Sequence, residues 1–504
     1  YGHDLRTESV DVNSDHLFLT GILAFPYVDG AKDLPCEVVL HLPPGWKVYT
    51  ELKEIGKNPP RFRAESYDVL VDSPIDCGHP AELTLMASGI PHRIVLCGEG
   101  GNAEPHRLEA DVTRFVETTI RLFGDSPLDH YTFFLHLTDE PDGGLEHLTS
   151  NSAVVSRTTF RPESSYQRLL VLLCHEYFHL YNVKRIRPKV LGPFDYTKEV
   201  YTHLLWLMEG TTDYYAYLLL RRAQLRPAKH YLEKLGERIH RYLAIPGRAV
   251  RSLEESSFLS WIDLYLPFED SRNQSVSYYT KGDLVSLALD LEIRHRTEDH
   301  HSLDDVMRHL WRNYGKVGRG LEEHEVPGIV QAETGIDVSD FFRRYVEGTE
   351  EIDFARFLRY AGIKFHPKEP KPEPGDDEEA GYLGVEFTDD AGRPKIRSVL
   401  DGGPARRAGL SPGDEIVALN GARVTFSEFE KSLKRFPAGS TVEVSLFRRG
   451  WLTKLPLVTG KAPPEKYLLT PIETPSPLER AIYESWLDAK WEAPKKADDA
   501  AADQ

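Results

Sequence analysis

The first hundred residues change character every second position. VDVNSDHLFLTGILAF, CEVVLHLPPGWKV, ELTLMASG and HRIVLCG alternate or run β-branched between Gly, Pro and Asp breaks, and they predict a β-rich domain over residues 1–105. From Leu108 the period lengthens. LEADVTRFVETTIRLFG predicts a helix, YTFFLHL a strand after it, and Leu169 to Leu173 an apolar helical run. In LLWLMEGTTDYYAYLLL, Leu205, Met208, Thr212, Tyr215 and Leu219 recur at helical spacing, and the pattern stays mostly helical to about Ile363, clearest in LVSLALDLEIR and SLDDVMRHLWRNY. HPKEPKPEPGDDEEAG has almost nothing to bury and reads as a linker. Strands return after it. PLERAIYESWLDAKW predicts one more helix able to dock back on the body, and ADDAAADQ a frayed end. The expected architecture is multidomain α+β. Its parts are a β-rich unit over 1–105, a mixed unit over 106–285, a helical unit over 286–365, a linker over 366–381, a second strand-rich unit over 382–460 and an extension over 461–504.

Composition sharpens this only in places. A chain of 504 residues exceeds one hydrophobic core, and 40% hydrophobic content is that of an ordinary globular protein. A formal charge of −18 argues against nucleic acid and against an anionic membrane surface as partners, since both require basic faces. No apolar run approaches the ~18 residues of a membrane span. The chain begins at Tyr1 rather than methionine, which leaves a removed leader open. Cys36, Cys77, Cys97 and Cys174 are scattered, suggest no disulfide framework and no Cys-x-x-Cys metal site, and mildly favour a reducing, cytoplasmic address over a periplasmic or secreted one.

The candidate chemistry sits in VLLCHEYFHLYNVKRIRP. His175 and His179 are four apart, so on a helix they share a face with Glu176 beside them. Two neutral imidazoles can then reach one zinc ion from adjacent turns, while Glu176 reaches water at the metal. Such a motif also occurs by chance on amphipathic helices, so other residues must decide. Catalytic zinc takes three protein ligands, and Glu209, set among apolar neighbours near the start of the next helix, is the candidate third. Asp213, one turn on, could accept a hydrogen bond from a ligand histidine, or be a solvated capping carboxylate. Lys184, Arg185 and Arg187 fall where the first helix should end and read as complements to its C-terminus.

HEYFHLYNVKRIRP, LGPFDYTKEVYTHLLWLMEGTTDYY and SYYTKGDLVSLALDLEIR resemble the glycyl aminopeptidase family of zinc metallopeptidases, relatives of the larger alanyl and leukotriene-hydrolase aminopeptidases. The 30-residue gap from His179 to Glu209 (209 − 179) is longer than in those larger relatives and suits the glycyl family. SYDVLVDSPIDCG matches the same family's β-rich first domain, of which members usually carry a longer segment, so the chain is expected to start inside that domain. The resemblance implies a thermolysin-like catalytic domain over 106–285 and one zinc per chain. It also implies a substrate strand at Gly143, Gly144, Leu145, Glu146 and His147, read here at a glycine turn, with Glu146 anchoring the substrate's free amine. Tyr279 stands where the larger relatives place an oxyanion-stabilising tyrosine, with Tyr278 as fallback; core packing is the alternative for either. GYLGVEF, GGPARRAGLSPGDEIVALNG and STVEVSLFRRG resemble a PDZ domain. In such domains the stretch Tyr382, Leu383, Gly384 and Val385 forms the loop that binds a C-terminal carboxylate.

The expectation is thus a zinc aminopeptidase acting on peptides with free N-termini, preferring glycine and then alanine, with a C-terminal peptide as a candidate PDZ partner. Rival readings are a zinc endopeptidase that recruits chain ends through the PDZ domain, and a catalytically silent PDZ peptide-binding protein.

Overall fold

The computed structural model describes residues 5–98, 101–368 and 381–493. Seven short strands come first: β1 (Val10–Val12), β2 (His16–Leu19), β3 (Cys36–Val39), β4 (Lys47–Tyr49), β5 (Lys53–Lys57), β6 (Pro60–Ala64) and β7 (Ile75–Gly78). They form a four-stranded sheet, β1-β2-β7-β4, and a three-stranded sheet, β3-β6-β5. Phe62, Leu70, Ile75 and Cys77 fill a core of their own between them.

The next strands, β8 (Ala81–Ala87) and β9 (Ile90–Cys97), join not these sheets but β10 (Tyr131–Thr138), β11 (Gly143–Glu146) and β12 (Ser150–Ser156), in the order β11-β12-β10-β9-β8. The sheet therefore crosses the boundary expected at residue 105. β10 is parallel to both its neighbours and buried along nearly its whole length, which is why YTFFLHL reads as an unbroken apolar run. β11 is an antiparallel edge strand paired Glu146 to Asn151. The glycine pair that reads as a turn in sequence is extended edge.

Helix α1 (Pro105–Phe123) starts on proline and stops at Gly124 in the left-handed conformation. It packs against β8 and against α2 (Glu163–Phe178), which also lies along β11 and β12. Helix α3 (Thr211–Arg222) follows a π-helical turn at Trp206–Gly210. Helix α4 (Tyr278–Arg296) is buried nearly throughout, and among the charges it buries Asp283 is paired with Arg238 and Asp290 with Arg294. Two glycines set its position: a Cβ on Gly210 would lie 2.5 Å from the Gly282 backbone, so only glycine at both places lets α4 approach the π-helical turn this closely.

β13 (Ile363–Lys368) leads to the strand-rich unit. Its strands are β14 (Gly381–Tyr382), β15 (Val385–Asp390), β16 (Arg393–Val399), β17 (Glu415–Leu419), β18 (Ala422–Arg423), β19 (Thr441–Arg448), β20 (Trp451–Val458) and β21 (Gly460–Lys461). They enclose a separate core around Leu383, Ile396, Val444 and Leu446. The expected linker over 366–381 thus begins and ends in strand, and its middle, 369–380, lies outside the described residues, as does the expected frayed end at 497–504. The chain returns as β22 (Lys466–Pro471), antiparallel to β13, and then as helix α5 (Pro477–Leu487). Trp486 of α5 is fully buried in the main core, where its indole N–H donates to the Tyr214 hydroxyl at 3.0 Å. No helix among the described residues is long and apolar enough to cross a membrane.

Candidate metal and catalytic site

Helix α2 buries Leu169, Leu170, Leu173, Cys174, Tyr177 and Phe178, and His175 and Glu176 between them are buried too. His179 caps the helix, and the chain then folds back sharply through Val183, whose φ of +110° is strained for a β-branched residue. That turn has a use. The backbone carbonyl of Asn182 accepts from His179 Nδ1 at 2.7 Å, while the Asn182 amide donates to the carbonyls of Leu207 and Met208 and to Thr212 Oγ1, tying the turn to the π-helical segment that carries Glu209.

Three donor atoms meet. His175 Nε2 lies 2.9 Å from His179 Nε2 and 3.3 Å from Glu209 Oε2, and His179 Nε2 lies 3.2 Å from the same carboxylate oxygen. In a tetrahedral zinc site with bonds of ~2.05 Å, neighbouring ligand atoms stand roughly 3.3 Å apart, so this triangle matches a zinc ligand face. Each imidazole is also held from behind: Asp213 Oδ1 lies 2.9 Å from His175 Nδ1, and the Asn182 carbonyl holds His179. Both tautomers are thereby fixed with Nε2 free for a metal. Burial works to raise the Glu209 pKa, but His179 and His175 outweigh it and hold the carboxylate well below its usual range. Burial lowers and Asp213 and Glu209 raise the affinity of His175 for a proton, with a net strong rise.

Glu176 is 4% exposed, and its Oε2 is buried without a hydrogen-bond partner. Burial pushes its pKa up to about 7, with the neighbouring Glu146 and Glu209 adding to the rise against the two histidines. β11 comes close enough to touch it: a Cβ on Gly144 would lie 2.2 Å from Glu176 Oε1. Gly143, at φ +150°, has open space at its Cβ position. Glu146, half-buried on the same strand, brings a carboxylate oxygen within 4.8 Å of ligand atoms of both Glu176 and His179. Lys184 is held by Asp72 at 2.7 Å and also feels Glu146. Arg185 donates to the carbonyls of Leu148 and Leu180, the latter in the turn after α2.

Tyr279 lies with its ring roughly parallel to His175, centroids 6.3 Å apart. Burial pushes its hydroxyl well above the ordinary phenol pKa, helped by Glu209, so the group stays a neutral donor. Tyr278, 2% exposed, stacks on Tyr279 and belongs to the main core. In the PDZ unit, Leu383 and Gly384 are buried and Gly384 has φ +75°, while Phe387 of β15 meets Phe429 at 4.5 Å. This unit docks on the body: Asn273 Nδ2 donates to the Val399 carbonyl at 2.7 Å, the Asp401 N–H donates to Asn273 Oδ1 at 2.9 Å, and Arg272 pairs with Glu386.

Sequence reasoning passed over Asn182, Gly210 and Gly282. Asn182 holds His179 through its backbone carbonyl, which any residue carries, and its side-chain amide finds its partners only across 25 to 30 positions of chain. The two glycines matter only because two distant segments cross.

Residues 168–285 match the family model of the M61 glycyl aminopeptidases, residues 1–79 the model of the peptidase M61 N-terminal domain, and residues 381–457 a PDZ domain model. A crystal structure of an aminopeptidase N family protein from Idiomarina loihiensis superposes with a TM-score of 0.87 at 32% identity, over 97% of this chain and 85% of that one. An M1 zinc metallopeptidase from Deinococcus radiodurans, bound to a Tyr-Ser-Ala substrate, superposes with a TM-score of 0.47 at 14% identity over 68% of this chain and 72% of its own, too distant to carry an argument. No curated protein sequence matches the chain. With two M61 models matched and one solved relative at 32% identity alike over 97% of this chain, the chain belongs to the M61 glycyl aminopeptidase family and is a metallo-aminopeptidase.

Proposed function

We propose that the chain removes small N-terminal residues, glycine first and alanine next, from peptides with a free amine, with zinc held by His175, His179 and Glu209. Two imidazoles and one carboxylate, with Asp213 and the Asn182 carbonyl behind them, are the donor set of a catalytic zinc rather than a closed structural one. Zinc there supplies Lewis-acid polarisation of the scissile carbonyl and a lowered pKa for the attacking water.

The remaining chemistry falls to side chains. Glu176 takes the water's proton and passes it to the leaving amine, a task suited to a carboxylate whose burial places its pKa near neutrality. The Tyr279 hydroxyl hydrogen-bonds the carbonyl oxygen as it gains charge. Glu146 pairs with the substrate ammonium, and Gly143 and Gly144 line the strand along which the substrate lies. Placement of Glu146 beside Glu176 and His179 is the observation that carries the aminopeptidase reading, because it sets a carboxylate outside the His175, His179 and Glu209 set next to the reacting centre. The glycine preference is supported by the family, not by a pocket. We further propose that the loop Tyr382–Val385 receives a C-terminal carboxylate.

Hydrolysis of Gly- and Ala-peptides with and without a chelator tests the reading. Activity that disappears on chelation and returns with zinc is expected; activity indifferent to chelation would refute it.

A further inference from the structure

A second group of metal-binding side chains lies away from the cleft, where the N-terminal sheet packs on the catalytic sheet. His16 and Asp76 come from β2 and β7, which pair with Phe18 opposite Asp76. Cys97 and His136 stand side by side on β9 and β10. One ligand atom from each of the four lies within 4.8 Å of all the others. Asp76 Oδ2 is 2.7 Å from His136 Nε2, 3.2 Å from His16 Nε2 and 3.4 Å from Cys97 Sγ. Asp76 and His136 are fully buried, and His16, with 18% of its side chain exposed, provides the way in from solvent.

We propose that His16, Asp76, Cys97 and His136 bind a second, zinc-type divalent cation that fastens the N-terminal β domain to the catalytic domain. Four protein ligands, two from each sheet, leave no open position, which is the arrangement of a structural rather than a catalytic zinc. The charges balance. Cys97 as thiolate and Asp76 as carboxylate supply two negative charges, two neutral imidazoles supply none, and a divalent cation makes the buried site neutral; the Cys97 proton leaves to solvent. In a tetrahedral site with N and O ligands at ~2.05 Å and S at ~2.3 Å, ligand atoms stand roughly 3.3–3.6 Å apart; the three contacts to Asp76, at 2.7, 3.2 and 3.4 Å, would open slightly, and the other pairs lie within 4.8 Å.

The surroundings of the two histidines differ. Asp11 Oδ2 lies 3.4 Å from His16 Nδ1 and itself accepts from Asn13 Nδ2 at 3.2 Å, the carboxylate backing that orients a metal-bound histidine. His136 Nδ1 is buried without a hydrogen-bond partner, and its ring packs on Phe18 at 4.5 Å. Nε2 is the ring nitrogen that His136 presents to the cluster, 2.7 Å from Asp76 Oδ2. The inference raises the cation count from the expected one to two, and it rests on none of the residues of the catalytic site.

Cobalt(II) tests it, because cobalt bound to a thiolate gives a near-ultraviolet charge-transfer band that a His-His-Glu site cannot give. Chelator-stripped full-length protein titrated with cobalt should take up two equivalents, one of them with that band. His179→Ala should still take up one equivalent with the band, and Cys97→Ser in that background should lose it. An intact chain that saturates at one equivalent without a thiolate band overturns the proposal whether or not the variants fold, as does a band that survives Cys97→Ser.

Discussion

Gly144→Ala is the smallest change that separates the general base from the metal. The residue sits on edge strand β11, and its new methyl would lie 2.2 Å from Glu176 Oε1, 2.5 Å from Cδ and 2.7 Å from Cγ. Ordinary contact begins at 3.4 Å, so the carboxylate must retreat by at least ~1.2 Å (3.4 − 2.2), and because Cγ is crowded too the whole side chain must move. Displacing a catalytic group by about 1 Å costs ~10²-fold, or ~2.7 kcal/mol in the transition state. Thermal stability should fall modestly, by ~1–3 kcal/mol, because a side chain that is 4% exposed must repack around the methyl. Metal content should stay at the wild-type level, because none of the atoms crowded by the methyl belongs to His175, His179 or Glu209. The assay is kcat/KM on a Gly-peptide beside metal analysis and a melting curve on the same preparation. Near wild-type turnover in a metal-loaded variant would show that Glu176 does not act from the position described here.

Other perturbations divide the site's labours. Glu176→Gln should keep its metal and lose ~10²–10⁴ in turnover, whereas Glu209→Ala should lose metal and activity together; unchanged metal in the latter, by elemental analysis, places the third ligand elsewhere. Tyr279→Phe should lower kcat by ~10²-fold with little change in Tm, and an equal loss in Tyr278→Phe alone would move the role to the buried neighbour. Asp72 joins the domains through Lys184 and His147. Burial opposes its ionisation, but Lys184 and His147 prevail and lower its pKa from 3.8 to about 2. A folded pKa below the unfolded one means stability present above pH ~4 and lost as pH falls toward 2, on the order of 2 kcal/mol. Asp72→Asn should flatten that limb of the acid-unfolding curve, and an unchanged limb would remove the pair from the account.

How much of this was readable beforehand depended on the range of each contact. His175, Glu176 and His179 announce themselves because four residues are one helical turn, and Glu209 and Asp213 repeat that spacing on the partner helix. The π-helical turn beneath Glu209 carries no sequence signature, nor does the carbonyl of Asn182. β8 and β9 look like more of the N-terminal domain because an alternating strand does not state which sheet it will join. Gly143 and Gly144 read as a turn for the same reason: paired glycines mark either a reversal or a close approach, and here the approach to Glu176 decides. Tyr279 is preferred to Tyr278 beforehand only through the family resemblance, and α4 sets the first beside His175 and the second in the core. Asp76 and the three side chains around it come from four strands and span 120 positions (136 − 16), which no local pattern could gather.

The most direct measurement of the central claim compares peptides that differ only in an N-acetyl group, using wild-type protein and Glu146→Ala. A carboxylate placed for an ammonium is left unpaired by a blocked substrate. Wild-type enzyme should therefore cleave free Gly- and Ala-peptides and leave their acetylated forms nearly untouched, while Glu146→Ala should lose most of that discrimination and much of its kcat/KM on the free peptides. Equal cleavage of free and acetylated peptides by the wild-type protein would contradict the aminopeptidase mechanism built on Glu146.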